Sequence, residues 1–103
     1  MKPDPVLFAK ALADETRQKI MNLVCCKWLS VNEIVEKLSV TQPTVSHHLA
    51  ILREADLVNL REDGKQTFYS LNQKRVAVCC GQLMIKFAPE TETTEAIKKT
   101  VEA

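Results

Sequence analysis

Thr41 to Asp56 reads TQPTVSHHLAILREAD, and the rest of the chain is ordered around it. Val45, Leu49 and Leu52 fall at i, i+4 and i+7, the spacing that lines one face of a helix. That face is expected to be buried. The opposite face offers Gln42, Ser46, His47 and Ala50, short or hydrogen-bonding side chains with no bulky hydrophobe and no charge to desolvate. Such a surface suits the edges of bases. Thr41 is a favourable N-cap, and Pro43 sits in the first turn, where its missing N–H costs nothing.

The setting turns an amphipathic helix into a motif. Upstream, Ser30-Val31-Asn32-Glu33 reads as a capping box, and Ile34, Val35 and Leu38 follow at helical spacing. Only Ser39-Val40 separate that helix from the Thr41 cap, so two helices meet across a tight corner. Downstream, Leu57–Glu62 and Lys65–Leu71 flank Asp63-Gly64, the two-residue signature of a type I′ hairpin turn. With Glu62 paired to Lys65, Val58 and Leu60 share a face with Thr67, Tyr69 and Leu71. Helix, corner, helix and hairpin make a winged helix-turn-helix: a mainly α fold with a β-hairpin wing, whose second helix is shaped for the major groove. Double-stranded DNA is the expected partner, with no cofactor required to bind it. Lys65 at the polar hairpin tip and Arg61 beside it are placed to meet phosphate, and Arg53 near the end of the second helix is counted with them.

Asp4-Pro5 opens a first helix as N-cap and N1, and Asp14 caps a second, expected from Glu15 to about Cys26 with Ile20, Met21, Leu23 and Val24 toward the core. Trp28 and Leu29 close the corner before Ser30. Asn72 caps a last long helix, roughly Gln73 to Phe87, ended by Pro89. Val76 to Ile85 is apolar nearly all the way round, more than one small domain can cover, so a second copy of the chain is expected on it. The expected organisation is a winged-helix and dimerisation domain over 1–89, a homodimer through the first and last helices, and a helical or frayed tail over 90–103.

The length of 103 residues fits one domain, and 46% hydrophobic with 26% charged residues is a soluble globular composition. No apolar run approaches a membrane span, and the start MKPDPVLFAKAL lacks the form of a signal peptide. A cytoplasmic location without membrane partners is the expectation. In the tail, four Glu against two Lys give −2, leaving +3 on residues 1–89 of the net +1. A protein holding DNA by charge alone would be far more basic, which again favours a dimer reading two half-sites. An enzyme is not expected: no nucleophile or carboxylate is spaced to pair with His47 or His48, and the two glycines, Gly64 and Gly81, make no phosphate-cradling loop.

The four cysteines occur as adjacent pairs, Cys25-Cys26 and Cys79-Cys80. Structural disulfides are not expected in the cytosol, which leaves packing, metal ligation or redox chemistry. Adjacent residues on a helix point about 100° apart, so each pair should aim one sulfur inward and one sideways. One pair cannot close a metal site. Two pairs brought together, within a protomer or across a dimer, could hold Zn, Cd, Cu(I) or similar ions, and three thiolates suit trivalent arsenic. Buried cysteines acting as small hydrophobes are the other reading.

Leu12–Arg17, Thr41–Leu49, Leu52–Val58 and Gly64–Leu71, in that order, resemble the ArsR/SmtB family of bacterial and archaeal repressors across about residues 6–80. The resemblance implies a homodimeric winged helix that sits on an operator and leaves it when an inducer binds. It also implies that Gln42, Thr44, Ser46 and His47 face the operator. Two of the family's metal sites lack their residues here: no cysteine lies on Val31–Leu38, and the last helix has no Asp, Glu or His. Members that resemble this chain at its cysteines use them for thiophilic ions or as a dithiol answering persulfides and oxidants.

Overall fold

The computed structural model describes residues 2–101; residues 1, 102 and 103, and with them Glu102 of the acidic tail, lie outside the described residues. The elements run α1 (Pro5–Leu12), α2 (Glu15–Leu23), β1 (Leu29–Ser30), α3 (Val31–Leu38), α4 (Gln42–Glu54), β2 (Val58–Asp63), β3 (Gln66–Leu71), α5 (Gln73–Phe87) and α6 (Glu92–Val101). Each expected cap is made. Asp4 accepts from Val6 and Leu7 N–H, Asp14 from Arg17 N–H at 3.0 Å, and Asn72 from Arg75 N–H at 3.1 Å. Ser30 and Glu33 close a reciprocal box. Thr41 Oγ1 accepts from Thr44 N–H. The backbone hydrogen bonds to Glu33 and from Arg17 to Asp14 hold both carboxyls below their ordinary pKa.

The corner between α3 and α4 turns on Ser39, whose φ of 55° lies in the left-handed region. Phe8, Ala11, Ile20, Met21, Val24, Leu29, Ile34, Val45, Leu49, Leu52, Leu57 and Val58 form one continuous core, with Cys79 of α5 at its edge. No helix among the described residues is long and apolar enough to cross a membrane.

The structure corrects the sequence reading in three places. Helix α2 stops at Leu23 rather than at Cys26, because the Val24 carbonyl is turned to accept from Leu71 N–H at 2.8 Å at the base of the sheet. Leu29-Ser30 is a short strand opposite Tyr69 and Phe68, so the sheet has three strands in the order β1-β3-β2. In the hairpin Asp63 pairs with Gln66, and the two-residue loop is Gly64-Lys65, not Asp63-Gly64. Positive φ at Gly64 and not at Lys65 is the type II′ pattern. The slip is two residues, so the face containing Val58, Leu60, Thr67, Tyr69 and Leu71 survives it. Of the two expectations for the tail, helical or frayed, 92–101 takes the first and is docked on α5: fully buried Thr94 donates to the Ala88 carbonyl at 2.6 Å, and Thr91 Oγ1 accepts from Thr94 N–H.

The exit of α4 is locked to the entry of α5. Leu57 N–H reaches Leu52 O and Asp56 N–H reaches Arg53 O, the paired bonds of a Schellman motif, with Asp56 at φ 58°. Arg75 Nη2 lies 2.8 Å from Asp56 Oδ2, and Asn72 Nδ2 donates to Asp56 O. Asn72 N–H in turn donates to Leu57 O.

A left-handed residue with a Cβ costs more than glycine at the same place. Ser39→Gly should therefore raise unfolding stability by about 0.5–1 kcal/mol, read as a higher urea midpoint at unchanged slope; a lower midpoint would contradict the geometry.

Candidate nucleic-acid interface

Helix α4 divides sharply. Val45 and Leu52 are fully buried and Leu49 nearly so, while Gln42, Ser46, His47, Ala50 and Arg53 are exposed. Thr44 is half-buried and its hydroxyl bonds that of Thr41 at 2.8 Å, which gives it a share in the cap as well as a place at the edge of the face. The sheet stands beside this helix. An open groove of about 490 Å³ is lined by Ser46, Leu49, Ala50, Arg53 and Glu54 of α4 and by Tyr69 of β3. A second, of about 210 Å³, brings Gln42 together with Lys65, Thr67 and Asn32. Gln42 of α4 and Lys65 at the hairpin tip therefore border one groove, and Ser46 of α4 and Tyr69 of β3 border the other.

Arg61 lies elsewhere. Strand alternation sets it on the sheet face opposite Tyr69, with its guanidinium 4.7 Å from the Trp28 ring centroid and 5.9 Å from that of Phe68. The aromatic rings hold the cation by their quadrupoles and leave it exposed. Trp28 and Tyr69 are two residues the sequence reading did not assign to this surface.

The cysteines fall into two unlike pairs. Cys25 and Cys26, off the end of α2, are bonded sulfur to sulfur, contrary to the expectation of unpaired thiols. The 100° helical separation does not apply in a turn. It does apply on α5, where Cys79 is buried and Cys80 exposed. Burial pushes the Cys79 thiol up from its ordinary pKa, against the pull of nearby Arg75. No group of three or more His, Cys, Asp or Glu side chains that could hold a metal ion occurs among the described residues.

A helix-turn-helix with an exposed polar second helix and a three-stranded wing invites comparison with known regulators. Residues 14–59 match the family described as bacterial regulatory protein, arsR family. Over 63 residues the chain is 36% identical to the transcriptional repressor SdpR of Bacillus subtilis, covering 61% of this chain and 70% of that one. The chain belongs to the arsR family. It is a transcriptional regulator of that family rather than an enzyme. It is also 38% identical over 63 residues to the arsenical resistance operon repressor of Staphylococcus aureus, a match spanning 61% of each protein. Among solved structures, reduced HlyU from Vibrio cholerae superposes with a TM-score of 0.64 at 33% identity, covering 81% of this chain and 86% of that one.

Exposure and thiol pKa act together on the cysteines of this arsR-family chain. Iodoacetamide at about pH 8 should label Cys80 well before Cys79, because only the thiolate attacks, and should label Cys25 and Cys26 only after reduction. Peptide mapping by mass spectrometry reads the order, and equal rates at Cys79 and Cys80 would contradict it.

Proposed function

We propose that the chain is a homodimeric repressor working in the cytoplasm, which reads two operator half-sites with α4 and the wing and releases them when its cysteines are engaged by a thiophilic inducer. The observation that carries the DNA reading is the division of α4, a polar face of Gln42, Ser46, His47, Ala50 and Arg53 held out by fully packed Val45, Leu49 and Leu52. Short polar side chains on such a helix suit base edges, and Lys65 at the wing tip suits phosphate. The dimer is supported by the surfaces of α1 and α5: Val6 is 74% and Phe87 73% exposed, and Val76, Val78, Met84 and Ile85 are only partly covered.

For the inducer, a thiophilic metal or metalloid such as trivalent arsenic comes first. Support comes from the four cysteines and from the likeness to a protein named an arsenical resistance operon repressor. Soft thiolates favour Cd, Zn and Cu(I) as well. Such a site needs sulfurs from both pairs, Cys25 and Cys26 in reduced form with Cys79 or Cys80, within a protomer or across the dimer. A second reading, release by thiol oxidation, is favoured by the bonded Cys25–Cys26 pair. The Cys25 carbonyl accepts from Gln73 Nε2 at 2.7 Å, so a change at that turn is felt at the start of α5. A ligand releases DNA only as far as it prefers the dimer geometry that misplaces the recognition helices, a coupling of about 1–3 kcal/mol in ordinary cases.

Ser46→Ala with His47→Ala should abolish operator retardation and leave the circular dichroism unchanged; retained retardation would overturn the reading of this face. Native mass spectrometry and DNA release should then be followed with trivalent arsenic on reduced protein and, separately, with an oxidant. Release and a mass gain with arsenic alone support the metalloid, release with oxidant alone supports the redox reading, and release persisting after all four cysteines become serine would exclude both.

A further inference from the structure

Two polar side chains stand where the helical stripes call for hydrophobes. Arg17 precedes Ile20, Met21 and Val24 at i, i+3, i+4 and i+7, and His48 stands between Val45 and Leu49-Leu52 in the same spacing; each is only 9% exposed. Arg17 donates from Nε to the Ala11 carbonyl at 2.8 Å and from Nη2 to the Lys10 carbonyl at 3.0 Å. Both carbonyls belong to the last turn of α1, where the helical ladder has run out. Its remaining arm, Nη1, meets His48 Nδ1 at 3.0 Å. A guanidinium has donors and no acceptor, so Nδ1 must be the acceptor. The ring is then neutral with its proton on Nε2, 3.9 Å from Asp14 Oδ1.

Resting on the DNA reading above, we propose that Arg17 and His48 are positioning residues for the operator: their buried hydrogen bond fixes the rotation of α4 against the end of α1. His47 is the next residue along, its ring centroid 5.6 Å from that of His48, and it lies on the exposed reading face. Since neighbours on a helix are about 100° apart, any roll of α4 that frees His48 carries His47 and Ser46 off their setting.

The bond fails when His48 takes a second proton, because N–H then faces N–H and cation faces cation. Burial lowers the pKa of His48; Arg17 and His47 push the same way, and Asp14 opposes them. The folded state therefore favours the neutral ring. That contribution is whole above the ordinary histidine value and is lost as pH falls from there through the lowered folded value. The contribution of His48 is isolated by His48→Asn, whose amide oxygen takes the place of Nδ1 and binds no proton.

The probe is a fluorescent duplex of about 20 base pairs, room for two half-sites, selected from a random library by the wild-type protein at about pH 8. Anisotropy is read at fixed salt down to about pH 5.5, across the ordinary histidine range, beside circular dichroism. His48→Asn should bind within about twofold of wild type at the upper pH, and wild type should lose about fivefold relative to it at the lower pH, the small end of ordinary coupling. His48→Leu, which fills the site without an acceptor, should lose a similar factor throughout. A wild-type to His48→Asn ratio that stays flat with pH overturns the positioning role and leaves the DNA reading standing. So does His48→Asn binding as poorly as His48→Leu while folded, and if His48→Leu does not fold, the pH ratio decides alone. Failure of the wild-type protein to select any sequence overturns both.

Discussion

A helix that keeps one whole face out in solvent has only the other left to hold it in its protein, and the rest of the fold answers to that constraint. In α4 the holding face is Val45, Leu49 and Leu52, and burial of three such side chains is of the order of 5 kcal/mol. Phe8 and Ala11 of α1, Ile20 and Met21 of α2 and Ile34 of α3 join the same core. The outer face is free of that duty, and it consequently carries no large hydrophobe.

What the sequence made legible was local. Asp4, Asp14, Ser30, Thr41 and Asn72 each cap the helix that follows with their own side chain, so neighbouring residues suffice to find five helix starts. The end of α2 was not local. It depends on Leu71, far along the chain, reaching back to the Val24 carbonyl. Strand β1 is two residues long and exists only because β3 lies beside it. The hairpin register was set by Gly64 occupying the first loop position rather than the second, a choice that turn composition alone does not force. The docking of α6 came from two threonines closing on one carbonyl, a signal carried by hydroxyls rather than by an apolar stripe.

The surface divides the same way. The exposed set Gln42, Ser46 and His47 followed from helical periodicity, since it is the complement of the buried stripe. Arg17 and His48 were also written in that periodicity, as polar residues in apolar places, but their meeting joins two helices 31 residues apart. The stacking of Arg61 on Trp28 required knowing the third strand. For the cysteines, a one-turn difference in where α2 ends decides whether two adjacent sulfurs diverge or bond.

The clip formed by Asp56, Leu57, Asn72 and Arg75 shuts the chain on itself at the foot of the hairpin. The exposed tip, residues 62–66, hangs beyond that neck and beyond the pairing of β1 with β3 like a pendant. Lengthening or recolouring the pendant leaves the neck, and hence the angle between α4 and α5, as it was. Wing-tip chemistry is in that sense an interchangeable cassette, free to change while the frame that carries it stays fixed.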